Sequence, residues 1–223
     1  MHLLKTDFNG NFNVGLYIYT TDSYCLIGQD VPEESASEIE KALKVPVHKI
    51  SIAGTGLLGV FLAGNENCLL IPKIAFGEEI DEIKRLKINY KIIDTKLTAL
   101  GNNILCSDSG CIINPDFGKT EEEAIKEALK VPVKRGKIAG LTIVGAAGVL
   151  NKKGCLLHRD AEDFEIEFVE TTLNTTVKTG TVNFSSPYIK SGIAANSNGF
   201  LIGSISGGPE IQNADEALGF LEE

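Results

Sequence analysis

At 223 residues, 43% hydrophobic and 23% charged, the chain has the composition of a soluble globular protein long enough to bury a substantial core. Its formal net charge of −9 argues against a generic nucleic-acid binder, which is expected to be basic, and leaves a basic protein partner open. No apolar run reaches membrane-spanning length, and the opening MHLLKTDFNG has no basic segment followed by a long apolar one. Neither a membrane association nor a secretory leader is expected, and five cysteines in a cytoplasmic chain are expected to stay reduced.

The predicted elements follow one another in a fixed order. Residues 1–14 contain an extended run. After Gly15 come a strand in LYIYT, a turn at TDSY and a strand in CLIG, which together read as a β-hairpin. SASEIEKALK has helical spacing, and VPVHKISIAG is extended; its proline stops the helix and biases the preceding residue away from helical geometry. The same series recurs as VFLAG, GNEN, CLLIP, EEIDEIKRLK and INYKIIDTKL, and again as NILCS, SDSG, CIIN, EEEAIKEALK and VPVKRGKIAG. In the third helix Thr120 and Glu123 have the spacing of a capping box. The fourth series has the turn NKKG and the strand CLLH, but EDFEIEFVETTL alternates more as a strand does than as a helix. A fifth series begins at Gly192, with FLIG as its second strand.

Two residue sets fix the period. Leu43, Leu86, Leu129, Leu173 and Leu218 stand 43, 43, 44 and 45 residues apart, as do Cys25, Cys68, Cys111, Cys155 and Phe200. A glycine set, Gly15, Gly59, Gly101, Gly145 and Gly192, is spaced 44, 42, 44 and 47. Periods of this length mean solenoids, propellers or closed arrays. The expected repeats are about 15–58, 59–100, 101–144, 145–191 and 192–223 within a single domain, 1–223. Only GFLEE follows Leu218, so the last repeat lacks its third strand. Residues 1–14 supply one, and the expected architecture is an α/β ring of five ββαβ repeats closed by the N-terminal strand.

Several chemical motifs fail on context. GTGLLG (54–59) matches a dinucleotide-binding fingerprint, but a hairpin rather than a helix is expected after it. GKT (118–120) lacks the upstream glycine of a phosphate-binding loop, because residue 113 is Ile113. The repeat cysteines read as small core residues, and no C-x-x-C pair suggests a metal site. Cys106 and Cys111 flank the SDSG turn and are expected across a hairpin, where a disulfide would need oxidising conditions. His2, His48 and His158 make no convincing triad with a cysteine or serine. No cofactor or metal is expected.

Positions that differ between repeats are the candidates for binding. After the glycines come LY, VF, NN, AA and IA, which symmetry gathers on one face around the axis: Leu16, Val60, Asn102 with Asn103, and Ala146 with Ala147. The third repeat differs from the others in presenting two amides there.

With the fivefold period, YTTDSYCLIG (19–28), SIAG (51–54), GNENCLLIP (64–72), LTALGN (97–102), GTVN (180–183) and GIAAN (192–196) make the chain resemble the archaeal and eukaryotic translation initiation factor six family over nearly all its length. The resemblance implies a pentein ring, and a non-enzymatic, monomeric factor that binds the intersubunit face of the large ribosomal subunit and keeps the small subunit away, with a part in large-subunit biogenesis. It implies ribosomal protein fourteen as main partner, near the sarcin-ricin loop, and release by a Shwachman–Diamond family protein and a translational GTPase. The implied docking face contains Asn102, with Gly15, Leu16, Val60, Gly101, Asn103, Gly145, Ala146, Ala147, Gly192 and Asn196 around it. The phosphorylatable tail of eukaryotic members is expected to be absent, since the sequence stops at LEE. The alternative for a pentein ring is a guanidine-modifying enzyme with a cysteine nucleophile.

Overall fold

The computed structural model describes residues 2–221, so the chain end on which the expectation about a tail rests lies outside the described residues. The first strand, β1 (Leu3–Thr6), pairs with no strand of the unit that follows it, although Leu4 packs against that unit's core. That unit has a helical turn at Val14–Tyr17, a hairpin of β2 (Ile18–Thr20) and β3 (Cys25–Gly28), helix α1 (Glu33–Leu43) and strand β4 (Val47–Ile50). β3 pairs antiparallel with β2 and parallel with β4, so α1 is the crossover of a parallel connection.

The arrangement repeats. The second unit is α2 (Leu58–Phe61), β5 (Ala63–Gly64), β6 (Leu69–Pro72), α3 (Gly77–Arg85) and β7 (Tyr90–Ile93). The third is α4 (Leu100–Asn103), β8 (Ile104–Cys106), β9 (Cys111–Ile113), α5 (Lys119–Leu129) and β10 (Val133–Arg135). The fourth is β11 (Gly148–Leu150), β12 (Cys155–His158), α6 (Asp163–Leu173) and β13 (Val177–Gly180). The fifth is α7 (Ile189–Gly192), β14 (Ile193–Asn196), β15 (Gly199–Gly203) and α8 (Gly208–Ala217). Its third strand is β1, which pairs parallel with β15 from Leu3 opposite Phe200 to Thr6 opposite Gly203. Among the described residues five three-stranded sheets result, and the N-terminal strand closes the ring as expected.

The repeat residues form the core. Cys25, Cys111, Cys155 and Phe200 are fully buried, and Cys68 nearly so. Leu43, Leu129, Leu173 and Leu218 are buried as well, each contributing about 2 kcal/mol through removal from water. The clusters cross unit boundaries: Cys111, Ile125 and Leu129 of the third unit pack with Cys68, Leu70 and Ile93 of the second. A unit taken alone would expose half of such a cluster, so the ring folds as a set.

Two local expectations are corrected. The stretch that alternates like a strand is helix α6: the Glu165 carboxylate accepts the Glu162 N–H at 3.0 Å at its start, and Glu165, Val169, Thr172 and Leu173 fall on one buried stripe. Helix α5 begins one residue earlier than its expected cap. Gly118 is the N-cap, so Thr120 lies inside the helix and the box with Glu123 does not form.

The helices also end alike. Lys44, Lys87, Lys130, Asn174 and Gly219 each follow a repeat leucine, and all five adopt left-handed backbone. This geometry lets the chain leave the helix toward the parallel strand, and only Gly219 adopts it without a Cβ penalty. Lys130→Gly is therefore expected to stabilise the protein by about 0.5–1 kcal/mol, despite the greater freedom of glycine in the unfolded chain. Chemical denaturation read against Gly219→Ala, which should destabilise by a similar amount, checks this.

Candidate functional site: the two mouths of the ring

The helical turns meet around the axis at one mouth. A Cβ on Gly59 would overlap the carbonyl oxygen of Gly15, one on Gly101 that of Gly59, and one on Gly145 that of Gly101. The circuit closes where a Cβ on Gly15 would overlap the carbonyl of Lys190, and the Lys190 N–H donates to Ala146 O at 3.3 Å. These glycines are needed because backbone approaches backbone. The fifth ring position is therefore Lys190, not Gly192, which lies two residues on, where a Cβ would meet side-chain atoms of Val182 and Asn183.

One residue beyond each ring position stand Leu16, Val60, Asn102, Ala146 and Ser191, all half-buried. Four of these were read from the sequence; Ser191 was missed because the glycine register slipped by two. The set carries no charge in a chain whose formal net charge is −9. Lys190 does not add one at the surface, since its ammonium turns inward and donates to Gly101 O at 2.9 Å. Burial pulls the Lys190 amine down to about 8.

Three expected members of this face sit elsewhere. Asn103 is buried; its amide donates to Ala99 O at 2.8 Å and its oxygen accepts from Asn114 at 2.6 Å, so the third unit presents one amide, not two. Ala147 is fully buried. Asn196 is buried at the opposite mouth, donating to Thr21 O at 3.1 Å and Leu43 O at 2.9 Å.

That opposite mouth is laced by the hairpin turns. Thr21, Asn65, Ser107, Asn151 and Asn196 share one repeat position. Asn65 donates to Leu129 O at 3.0 Å, Ser107 to Leu173 O at 2.8 Å and Asn151 to Leu218 O at 3.1 Å. These three turns and that of Asn196 thus each satisfy a helix-end carbonyl of the next unit, which would otherwise be an orphan acceptor, whereas the Thr21 hydroxyl accepts from its own turn. Sequence reading saw only turns here; the signal was a hydroxyl or amide residue recurring with the period.

A second circuit lies outside the first. The Asp22 N–H and Ser23 hydroxyl donate to the Glu66 carboxylate, Glu66 N–H to Asp108, Lys152 N–H to Ser197, and Ser197 N–H to Asp22. Lys152 spans the remaining gap, 2.9 Å from Asp22 and 3.7 Å from Asp108. Burial alone would raise the Asp22 pKa, but the Ser197 N–H and the Lys152 ammonium hold it below the usual carboxylate value. A carboxyl lowered in the folded state stabilises above its unfolded pKa, and the benefit is lost as pH falls through the folded one. Stability should therefore decline below about pH 4, and Lys152→Met should shrink that decline while costing about 1 kcal/mol at neutral pH. Denaturation midpoints between pH 3 and 7 check this.

The motifs set aside in the sequence have structural roles. GTGLLG leads into the short turn α2 and a hairpin, and Gly59 serves the ring. The histidines are scattered: His2 bonds Asp215 at 2.8 Å, the His158 ring nitrogen accepts the Asp160 N–H at 3.2 Å, and His48 lies on β4. Among the described residues no group of three or more His, Cys, Asp and Glu could hold a metal ion. No helix among them is long and apolar enough to cross a membrane.

A closed ring of five ββαβ units, with backbone packed on backbone at one mouth, is a pentein ring. Residues 3–217 match the model of the eIF-6 family. Proteins named translation initiation factor 6 are similar along their whole length. That of Saccharolobus solfataricus is 39% identical, covering 98% of this chain and 100% of its own. That of Pyrococcus horikoshii is 37% identical, covering 99% and 100%. That of Haloquadratum walsbyi is 34% identical, covering 99% and 98%. The chain belongs to the eIF-6 family of translation factors.

Proposed function

We propose that this protein binds the large ribosomal subunit through the glycine-ring mouth and blocks the small subunit by its bulk, acting in the cytoplasm as a monomer. The observation that carries this reading is the uncharged set of Leu16, Val60, Asn102, Ala146 and Ser191 on a backbone that cannot give way. A preorganised neutral patch loses little entropy on docking and suits a protein surface better than bare RNA phosphate. Ribosomal protein fourteen is the proposed contact, near the sarcin-ricin loop, with acidic surroundings steering the ring toward a basic subunit. Release by a Shwachman–Diamond family protein and a translational GTPase, and a part in subunit biogenesis, belong to the same proposal.

Blocking by bulk needs no catalytic group. A guanidine-modifying site would need a cysteine beside a histidine and carboxylates, but Cys106 has Lys190 and Cys111 beside it, and the histidines lie with Asp215, on β4 and with Asp160. Co-sedimentation with purified archaeal subunits tests the proposal. The protein should pellet with the large subunit and not the small; pelleting with neither, or equally with both, overturns it.

A further inference from the structure

The third unit differs from the other four at the ring axis. The position before its hairpin turn is Thr20, Gly64, Leu150 and Ala195 in the others and Cys106 in this one. Cys106 on β8 stands directly opposite Cys111 on β9. The flanking bonds, Ser107 N–H to Gly110 O at 2.9 Å and Asn114 N–H to Asn103 O at 2.9 Å, alternate along the hairpin. They make Cys106 and Cys111 a non-hydrogen-bonded pair, the kind whose side chains approach most closely. Its Cα separation, about 4.5 Å in such pairs, lies within the range a disulfide spans.

The two thiols have different surroundings. Cys111 is fully buried, whereas Cys106 is half-buried and lines a cavity of about 310 Å³ that also touches Asp22, Glu66, Asp108 and Lys152 at the hairpin mouth. Cys106 and Lys190 line a smaller axial space of about 110 Å³ on its inner side. Small oxidants can reach Cys106 through the wider cavity; Cys25 and Cys155 are fully buried and line neither space.

We propose that Cys106 is a hydroperoxide-oxidisable thiol, with Cys111 across the hairpin as its resolving partner, so that oxidation staples β8 to β9 at the ring axis. The Cys106 thiolate attacks a peroxide oxygen, the O–O bond breaks, and sulfenic acid and hydroxide form. The Cys111 sulfur then attacks the sulfenic sulfur, and its proton leaves with the hydroxyl as water. The peroxide is reduced by two electrons and the two thiols are oxidised to one disulfide.

The local electrostatics favour this division of roles. The Cys111 thiol across the hairpin and the nearby Lys190 ammonium hold Cys106 below the usual thiol value, against burial, and Asp108 opposes them. When protonated, Cys106 donates to Gly64 O at 2.8 Å, a bond that the thiolate gives up. Burial pushes Cys111 well above the thiol range, and holds Cys25 and Cys155 at about 12. The more acidic, more accessible thiol attacks first, and the buried one resolves.

The test treats folded, reduced protein with stoichiometric hydrogen peroxide, followed by differential alkylation and peptide mass spectrometry. One Cys106–Cys111 disulfide should form while Cys25, Cys68 and Cys155 stay reduced. Cys111→Ser should leave a sulfenic acid at Cys106 that dimedone traps, and Lys190→Met should slow alkylation of Cys106 at least several-fold. The proposal is overturned if Cys106 in the folded wild type reacts no faster than Cys155, or if peroxide yields no Cys106–Cys111 link. Both of these readings use the wild-type chain, so they stand whether or not a variant folds.

Discussion

Gly59→Ala is expected to cost about 3–5 kcal/mol or to prevent folding altogether, although it adds one methyl group. That methyl would overlap the carbonyl oxygens of Gly15 and Ile18, which are backbone atoms of the neighbouring unit and have no rotamer to change. Relief would require the first and second units to separate, and each of the five joints shares one closed circuit. Strain of this kind belongs among the few mechanisms that exceed about 4 kcal/mol. The control is Gly77→Ala at the start of α3, where nothing lies within 4 Å of the new methyl and the change should be within about 1 kcal/mol. Urea denaturation of both variants decides the matter: similar midpoints would mean that the ring mouth is looser than its geometry requires.

Asn102→Asp is expected to weaken large-subunit binding at least tenfold, about 1.4 kcal/mol, while leaving the denaturation midpoint nearly unchanged. Asn102 is half-buried, and its carbonyl, which the substitution keeps, is the atom that accepts the Gly145 N–H at 2.9 Å and the Ala146 N–H at 3.2 Å. The side chain makes no hydrogen bond to another described residue of the ring, so its amide is available to a partner. The new carboxylate would place charge in the centre of a neutral patch, where desolvation on docking is most costly. Gly192 is no substitute position, because a side chain there would meet Val182 and Asn183 and disturb the fold before the interface. Ser191→Glu is the better second probe and should act in the same direction. Unchanged affinity in both variants, measured by sedimentation with the large subunit, would move the docking face away from this mouth.

The period made the fold legible. Leucines 43 to 45 residues apart and a missing strand at the end were enough to place β1 beside β15, because a core position must recur wherever a unit recurs. The site was harder to read for reasons of geometry. Gly192 is the nearest glycine to the expected place, but the ring requires close backbone, and at Lys190 a Cβ is accommodated. Asn196 is only four residues from Gly192 in sequence, yet a strand advances about 3.3 Å per residue, which carries it toward the other mouth. Asn102 and Asn103 are neighbours on a helical turn, where successive side chains point about 100° apart, so one reaches the surface and the other the interior. The lacing by Asn65, Ser107, Asn151 and Asn196 stayed hidden because each of these also closes its own turn, and a local role conceals a distant one.

The central claim is that the glycine-ring mouth docks on the large subunit and that bulk alone excludes the small one. Subunit joining followed by light scattering, with the factor titrated against purified large subunits before small subunits are added, tests it most directly. Joining should fall in proportion to factor bound, with one factor per large subunit sufficient, and Asn102→Asp should require at least tenfold more protein for the same effect. Undiminished joining by large subunits already saturated with the factor would contradict the account.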